Sequence, residues 1–79
     1  MKTYLRLGND TLDEARRYRT QAAAIRAYRA TAEELARYGQ TIEATLHGAH
    51  GDGHAWEIVE YPDYVLTLGP RGGVHLTRA

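Results

Sequence analysis

His47, His50 and His54, with Asp52 between the last two, form a His-x2-His-x3-His spacing that gathers three imidazoles and a carboxylate into one short stretch. Zinc takes ligands of this kind in a tetrahedral shell. Glycines at 48, 51 and 53 argue against a built site, because a backbone this free must be ordered at an entropic cost before it can hold an ion. The expectation is an exposed, mobile loop over Gly48–Gly53 and no metal. Glu57, Glu60 and Asp63 are a second set with chemical potential, since paired carboxylates serve as general acid and base when their surroundings drive their pKa values apart. No apolar run around them provides such surroundings, so they read as an acidic surface rim. Gly69-Pro70-Arg71-Gly72-Gly73 looks like a phosphate cradle, but a P-loop needs Gly-Lys-Ser/Thr opening a helix, and this stretch leads into a strand pattern. It is expected to be a turn.

The chain contains no cysteine and no serine, which removes the two commonest side-chain nucleophiles together with any disulfide. We therefore expect no catalytic residues, no cofactor and no enzymatic activity, in a protein suited to a reducing cytoplasm. With 79 residues, 43% hydrophobic and 25% charged, the composition is that of a single domain spanning residues 1–79. No stretch approaches the ~18 apolar residues of a membrane span.

Ten basic and ten acidic residues cancel, which speaks against binding nucleic acid by bulk charge. The neutral total conceals an asymmetry: residues 1–40 hold eight basic and five acidic groups, net +3, while residues 41–79 hold two and five, net −3. Two candidate surfaces follow. In the second half, Trp56, Tyr61 and Tyr64 lie among Glu57, Glu60 and Asp63, the aromatic-with-acid mixture of an interface hot spot. In the first half, Arg16, Arg19 and Arg26 fall on one outer face of an expected helix and offer a basic surface for a phosphate backbone or an acidic partner.

These side chains need elements to carry them. Thr3–Leu7 alternates with period two, a half-buried strand, and Gly8-Asn9 turns it. Thr11-x-x-Glu14 matches a capping box, which predicts a helix beginning near Thr11 with an apolar stripe of Tyr18, Ala22, Ile25, Tyr28 or the stem of Arg29, Ala32 and Leu35. Thr31-x-x-Glu34 repeats the box, so the long helix is expected to end near Arg29, with a short second helix through Tyr38 and a stop at Gly39. Ile42, Ala44 and Leu46 mark a second strand. Trp56–Tyr61 fits either a strand or one helical turn, ended by Pro62. Tyr64–Leu68 and Val74–Thr77 flank the Gly-Pro turn as a hairpin, with His75 on its outer face. The pattern predicts an α+β fold: an antiparallel sheet of about four strands packed on one long and one short helix, in β-α-α-β-β-β order, with Leu5, Ile25, Ile42, Leu66 and Val74 sharing the core.

In the runs Glu60-Tyr61-Pro62-Asp63-Tyr64-Val65-Leu66-Thr67-Leu68-Gly69-Pro70-Arg71-Gly72-Gly73 and Leu35-Ala36-Arg37-Tyr38-Gly39-Gln40-Thr41-Ile42-Glu43-Ala44, and in its size and layout, the chain resembles small proteins of phage and mobile elements. It is most similar among these to the anti-CRISPR proteins directed at type I effector complexes, type I-C among them. The resemblance implies a stoichiometric inhibitor acting in the host cytoplasm, which binds the RNA-guided surveillance complex (Cascade) and keeps it from target DNA. Such complexes hold DNA in positively charged channels. The partner-binding residues would then be Trp56, Glu57, Glu60, Tyr61, Asp63 and Tyr64. The alternative is a small nucleic-acid-binding regulator working through Arg16, Arg19 and Arg26.

Overall fold

A computed structural model describes residues 3–51 and 56–79, Trp56 by its backbone alone. The order of elements is β1 (Thr3–Leu7), a single 3-10 turn (Leu12–Glu14), β2 (Arg16–Tyr18), α1 (Gln21–Ala36), β3 (Ala44–Gly51), β4 (Trp56–Ile58), β5 (Tyr64–Leu68) and β6 (Val74–Arg78). The strands form one antiparallel sheet in the order β2-β1-β3-β5-β6, with β4 also paired to β3. The class is α+β, as the sequence pattern predicts, but among the described residues the sheet has six strands rather than about four, and there is one α-helix rather than two.

The helix differs from expectation at both ends. The Thr11 capping box forms, with the Glu14 carboxylate accepting from the Thr11 N–H and hydroxyl at 3.0 Å each, yet it caps only the 3-10 turn. The chain then leaves helical space because Arg16-Arg17-Tyr18 pairs with Leu5-Tyr4-Thr3, and Tyr18 packs against the core. A local cap marks where a helix can start; a strand partner already in place decides that it does not continue. The real start is Thr20, whose hydroxyl accepts from the Ala23 N–H at 3.1 Å. The second box goes unused. Thr31 sits inside α1, and the Arg29–Glu33 pair at 2.8 Å carries the helix across the expected break. Gly39, at φ 73°, ends it in a Schellman arrangement: its N–H reaches the Ala36 carbonyl at 3.1 Å and the Gln40 N–H reaches Leu35 at 3.0 Å. Sixteen residues give about 24 Å of helix, which matches the eight-residue β3 beneath it.

One face of the sheet packs on α1. Leu5, Ala44, Leu46 and Leu66 meet Ala24, Tyr28 and Ala32 in the core, and Leu7, Tyr18, Ile25, Ile42, Tyr64, Leu68 and Val74 pack around them. All five predicted core residues are in this cluster or against it. The stripe is shifted from the expected one, with Ala24 buried and Ala22 exposed. Small alanines let the helix approach the sheet closely, and Tyr28 fills the space they leave. Its hydroxyl donates to the Ile42 carbonyl at 2.6 Å. Burial raises the Tyr28 pKa, and the negative charge of Glu43 adds to the rise.

Candidate partner-binding site

The acidic and aromatic residues that the sequence singles out lie on an interruption in the sheet. β4 and β5 run along the same edge of β3, but their registers differ: Ala49 faces Ile58, whereas Leu46 faces Tyr64. Three steps back along β3 are therefore answered by six along its partner. The excess is taken up between Val59, whose N–H donates to the Gly48 carbonyl at 2.9 Å, and Asp63, whose N–H donates to the Leu46 carbonyl at 2.7 Å. Between those two anchors a single residue of β3, His47, stands opposite Glu60, Tyr61 and Pro62. This is an enlarged β-bulge, and Pro62 belongs in it because the missing N–H is not needed for a ladder.

His47 holds the bulge from below. It is 1% exposed, its Nδ1 lies 2.8 Å from the Val59 carbonyl and its Nε2 lies 2.7 Å from the Thr45 hydroxyl oxygen. A carbonyl only accepts, so Nδ1 carries the proton and donates. In the neutral ring Nε2 then accepts from the Thr45 hydroxyl, which in turn accepts from the Arg6 Nε–H at 3.3 Å. The chain Arg6, Thr45, His47, Val59 is thus continuous, and it runs over the sheet face that α1 leaves uncovered. No buried side-chain polar atom among the described residues lacks a partner.

The segment displays what it carries. Tyr61 is 79% exposed, and Glu57, Glu60 and Asp63 are exposed with no ion pair formed among the described residues. Asp63 is fixed at its backbone, since its carbonyl also accepts from the Ala79 N–H at 3.2 Å. Tyr64 differs from the expectation of a displayed aromatic: it begins β5 and packs half-buried against the core. Trp56 pairs through its backbone with Gly51, so its segment is strand rather than a helical turn; its side chain lies outside the described residues.

The basic alternative loses its geometry. Arg16 is on β2, Arg19 is in the connection that follows, and Arg26 alone of the three is on α1, so they do not share a helix face. All three are exposed. Arg16 borders a polar hollow of about 360 Å³ together with Asp10 and Glu14, which places acid beside base there.

Of the histidine cluster, His47 and His50 are among the described residues, and they lie on opposite faces of β3. β3 continues through Gly51, four residues beyond the expected strand end, so the stretch from Gly48 to Gly51 is strand and not loop. His47 is committed to Thr45 and Val59, His50 is exposed opposite Glu57, and Asp52 and His54 lie outside the described residues. Among the described residues no three metal-ligating side chains come together. A concavity of about 780 Å³ lies away from the bulge, between the end of α1 (Ala32, Ala36, Arg37), Ile42-Glu43 and the β5–β6 turn (Leu68, Pro70). His75 is exposed on the last strand, as expected. No helix among the described residues is long and apolar enough to cross a membrane.

No family model matches this sequence, and no curated protein or solved structure matches it either.

Proposed function

We propose that this chain is a stoichiometric inhibitor that binds a type I CRISPR surveillance complex and blocks its engagement of target DNA, using the bulge between β4 and β5 as its contact. The observation that carries the reading is the combination of an exposed tyrosine with the exposed carboxylates of Glu60 and Asp63 on that bulge and of Glu57 on β4 just before it, none of which pairs with a basic group among the described residues. Supported by His47 and by bonds to β3 at both ends, the segment has its backbone anchored before binding, which lowers the ordering cost of the contact. Tyr61 supplies contact area on few rotors. Glu57, Glu60 and Asp63 match the charge of a DNA-binding channel, where they would occupy the place of phosphates. The net charge of zero fits a protein plug with an acidic rim better than a wholesale DNA mimic.

The experiment is a titration of purified type I surveillance complex with the protein, followed by addition of labelled target duplex. The reading expects DNA binding to be lost at a fixed molar ratio, in a salt-sensitive manner. DNA binding that persists at saturating protein, for each type I complex tried, would end it.

A further inference from the structure

We propose that β6 is a self-pairing edge, through which two copies of this chain join their sheets antiparallel about a two-fold axis at Leu76. The two ends of the strand order β2-β1-β3-β5-β6 are built differently. β2 is three residues long with two exposed arginines, the short, charged edge that resists strand addition. β6 is five residues long, regularly paired to β5 on its inner side, and contains no proline, lysine or bulge. Its one charged residue, Arg78, stands at the end of the strand and leaves Val74–Thr77 unguarded.

The hydrogen-bond phase of β6 is fixed by the bonds at its two ends. The Gly69 N–H donates to the Gly73 carbonyl at 2.6 Å, and the Ala79 N–H donates to the Asp63 carbonyl at 3.2 Å. Since backbone groups alternate in direction along a strand, residues 73, 75, 77 and 79 face β5, and Val74, Leu76 and Arg78 direct their N–H and C=O groups outward. An antiparallel second copy centred on Leu76 meets that phase. The two Leu76 residues exchange N–H···O bonds, and each Val74 does the same with Arg78 of the other copy.

The side chains agree with this register. Leu76 shares the helix-facing side of the sheet with Leu66, its cross-strand partner, yet it is 40% exposed while Leu66 is fully buried. A two-fold normal to the sheet keeps that side common to both copies, so each Leu76 would be covered by its counterpart and by Val74 of the other copy. Arg78 faces Val74 and His75 faces Thr77, so no like charges stand opposite one another, and copies with zero net charge do not repel at long range. A five-residue seam is well short of the roughly 1,600 Å² of a standard interface, so the pairing is weak and concentration-dependent.

Sedimentation equilibrium of the full chain across a wide concentration range, with hydrogen exchange read amide by amide, tests it. The expected result is a shift from 8.9 kDa to twice that mass, accompanied by new protection of the Val74, Leu76 and Arg78 amides, while those of His75 and Thr77 are protected at all concentrations. Leu76→Pro removes an outward N–H and no hydrogen bond to β5, and Leu76→Lys sets two ammonium groups together at the axis. Each is expected to hold the folded chain at 8.9 kDa where the wild type is paired. If Leu76→Pro unfolds the domain, Leu76→Lys and the exchange pattern decide. A monomer at every concentration, or a dimer that either folded variant leaves intact, overturns the proposal. So does protection of the outward amides that arises only when a surveillance complex is added, which would assign the edge to a strand of that partner.

Discussion

Replacing His47 with alanine removes a side chain that joins β3 to the bulge. The Val59 carbonyl then loses its donor and the Thr45 hydroxyl its acceptor, at about 1 kcal/mol each because both groups are only half-buried. Together with the space vacated by the ring, the expected loss is about 2–4 kcal/mol, a large fraction of the roughly 4–12 kcal/mol available to a domain of this size. His47→Asn is expected to recover part of this, since its side-chain amide places an N–H near the position of Nδ1 but offers nothing at Nε2. Urea unfolding followed by circular dichroism gives the stabilities, and hydrogen exchange at the Val59 and Asp63 amides reports the bulge itself. A His47→Ala protein within about 0.5 kcal/mol of wild type, or an asparagine variant no better than alanine, would refute the assignment of His47 as the pin.

Tyr28→Phe leaves the Ile42 carbonyl unpaired and is expected to cost about 1–2 kcal/mol in chemical denaturation. Because burial raises the Tyr28 pKa above its ordinary value of 10.0, the folded state keeps the phenol proton after the unfolded chain has released it; the wild type should lose stability as pH rises above 10 through the raised value, and the phenylalanine variant should lose less over that range. Gly39→Ala, at a positive φ, is expected to destabilise by about 1 kcal/mol, seen as a lower thermal midpoint. Arg16→Glu combined with Arg26→Glu should leave effector binding intact, because these side chains belong to different elements; loss of binding in the folded double variant would restore the basic-surface reading.

Much of the fold is legible because its signals are local. The alternation in Thr3–Leu7 and Tyr64–Leu68, the stop at Gly39 and the Gly-Pro hairpin turn all hold in the structure. The errors arise where a local signal competes with a distant partner. Thr11–Glu14 carries a helix start, but β1 claims Arg16–Tyr18 as a strand, and that pairing is invisible in the sequence around the box. Glycine composition similarly disguised Gly48–Gly51, which is held as strand by Ile58, Glu57 and Trp56 opposite. At the candidate site, residue type alone selects Glu57, Glu60, Tyr61 and Asp63, and all four are exposed. What residue type does not reveal is the register shift that gathers Glu60, Tyr61 and Asp63 on a bulge, or the part His47 plays in it. Thr45 and His47 share the uncovered face of an alternating strand, and two hydrogen-bonding side chains two residues apart on that face are the signal from which the pin could have been inferred.

The central claim, that the bulge is the contact for an RNA-guided effector complex, is tested most directly by measuring affinity for a type I surveillance complex in wild type, Tyr61→Ala and the Glu57→Lys, Glu60→Lys double variant, with circular dichroism as the folding control. All three substituted side chains are exposed, so stability should stay within about 0.5 kcal/mol per change. The account predicts that Tyr61→Ala weakens binding by about 30-fold, the 2 kcal/mol of a hot-spot aromatic, and that the double charge reversal abolishes it. Folded variants that bind as tightly as wild type would contradict it.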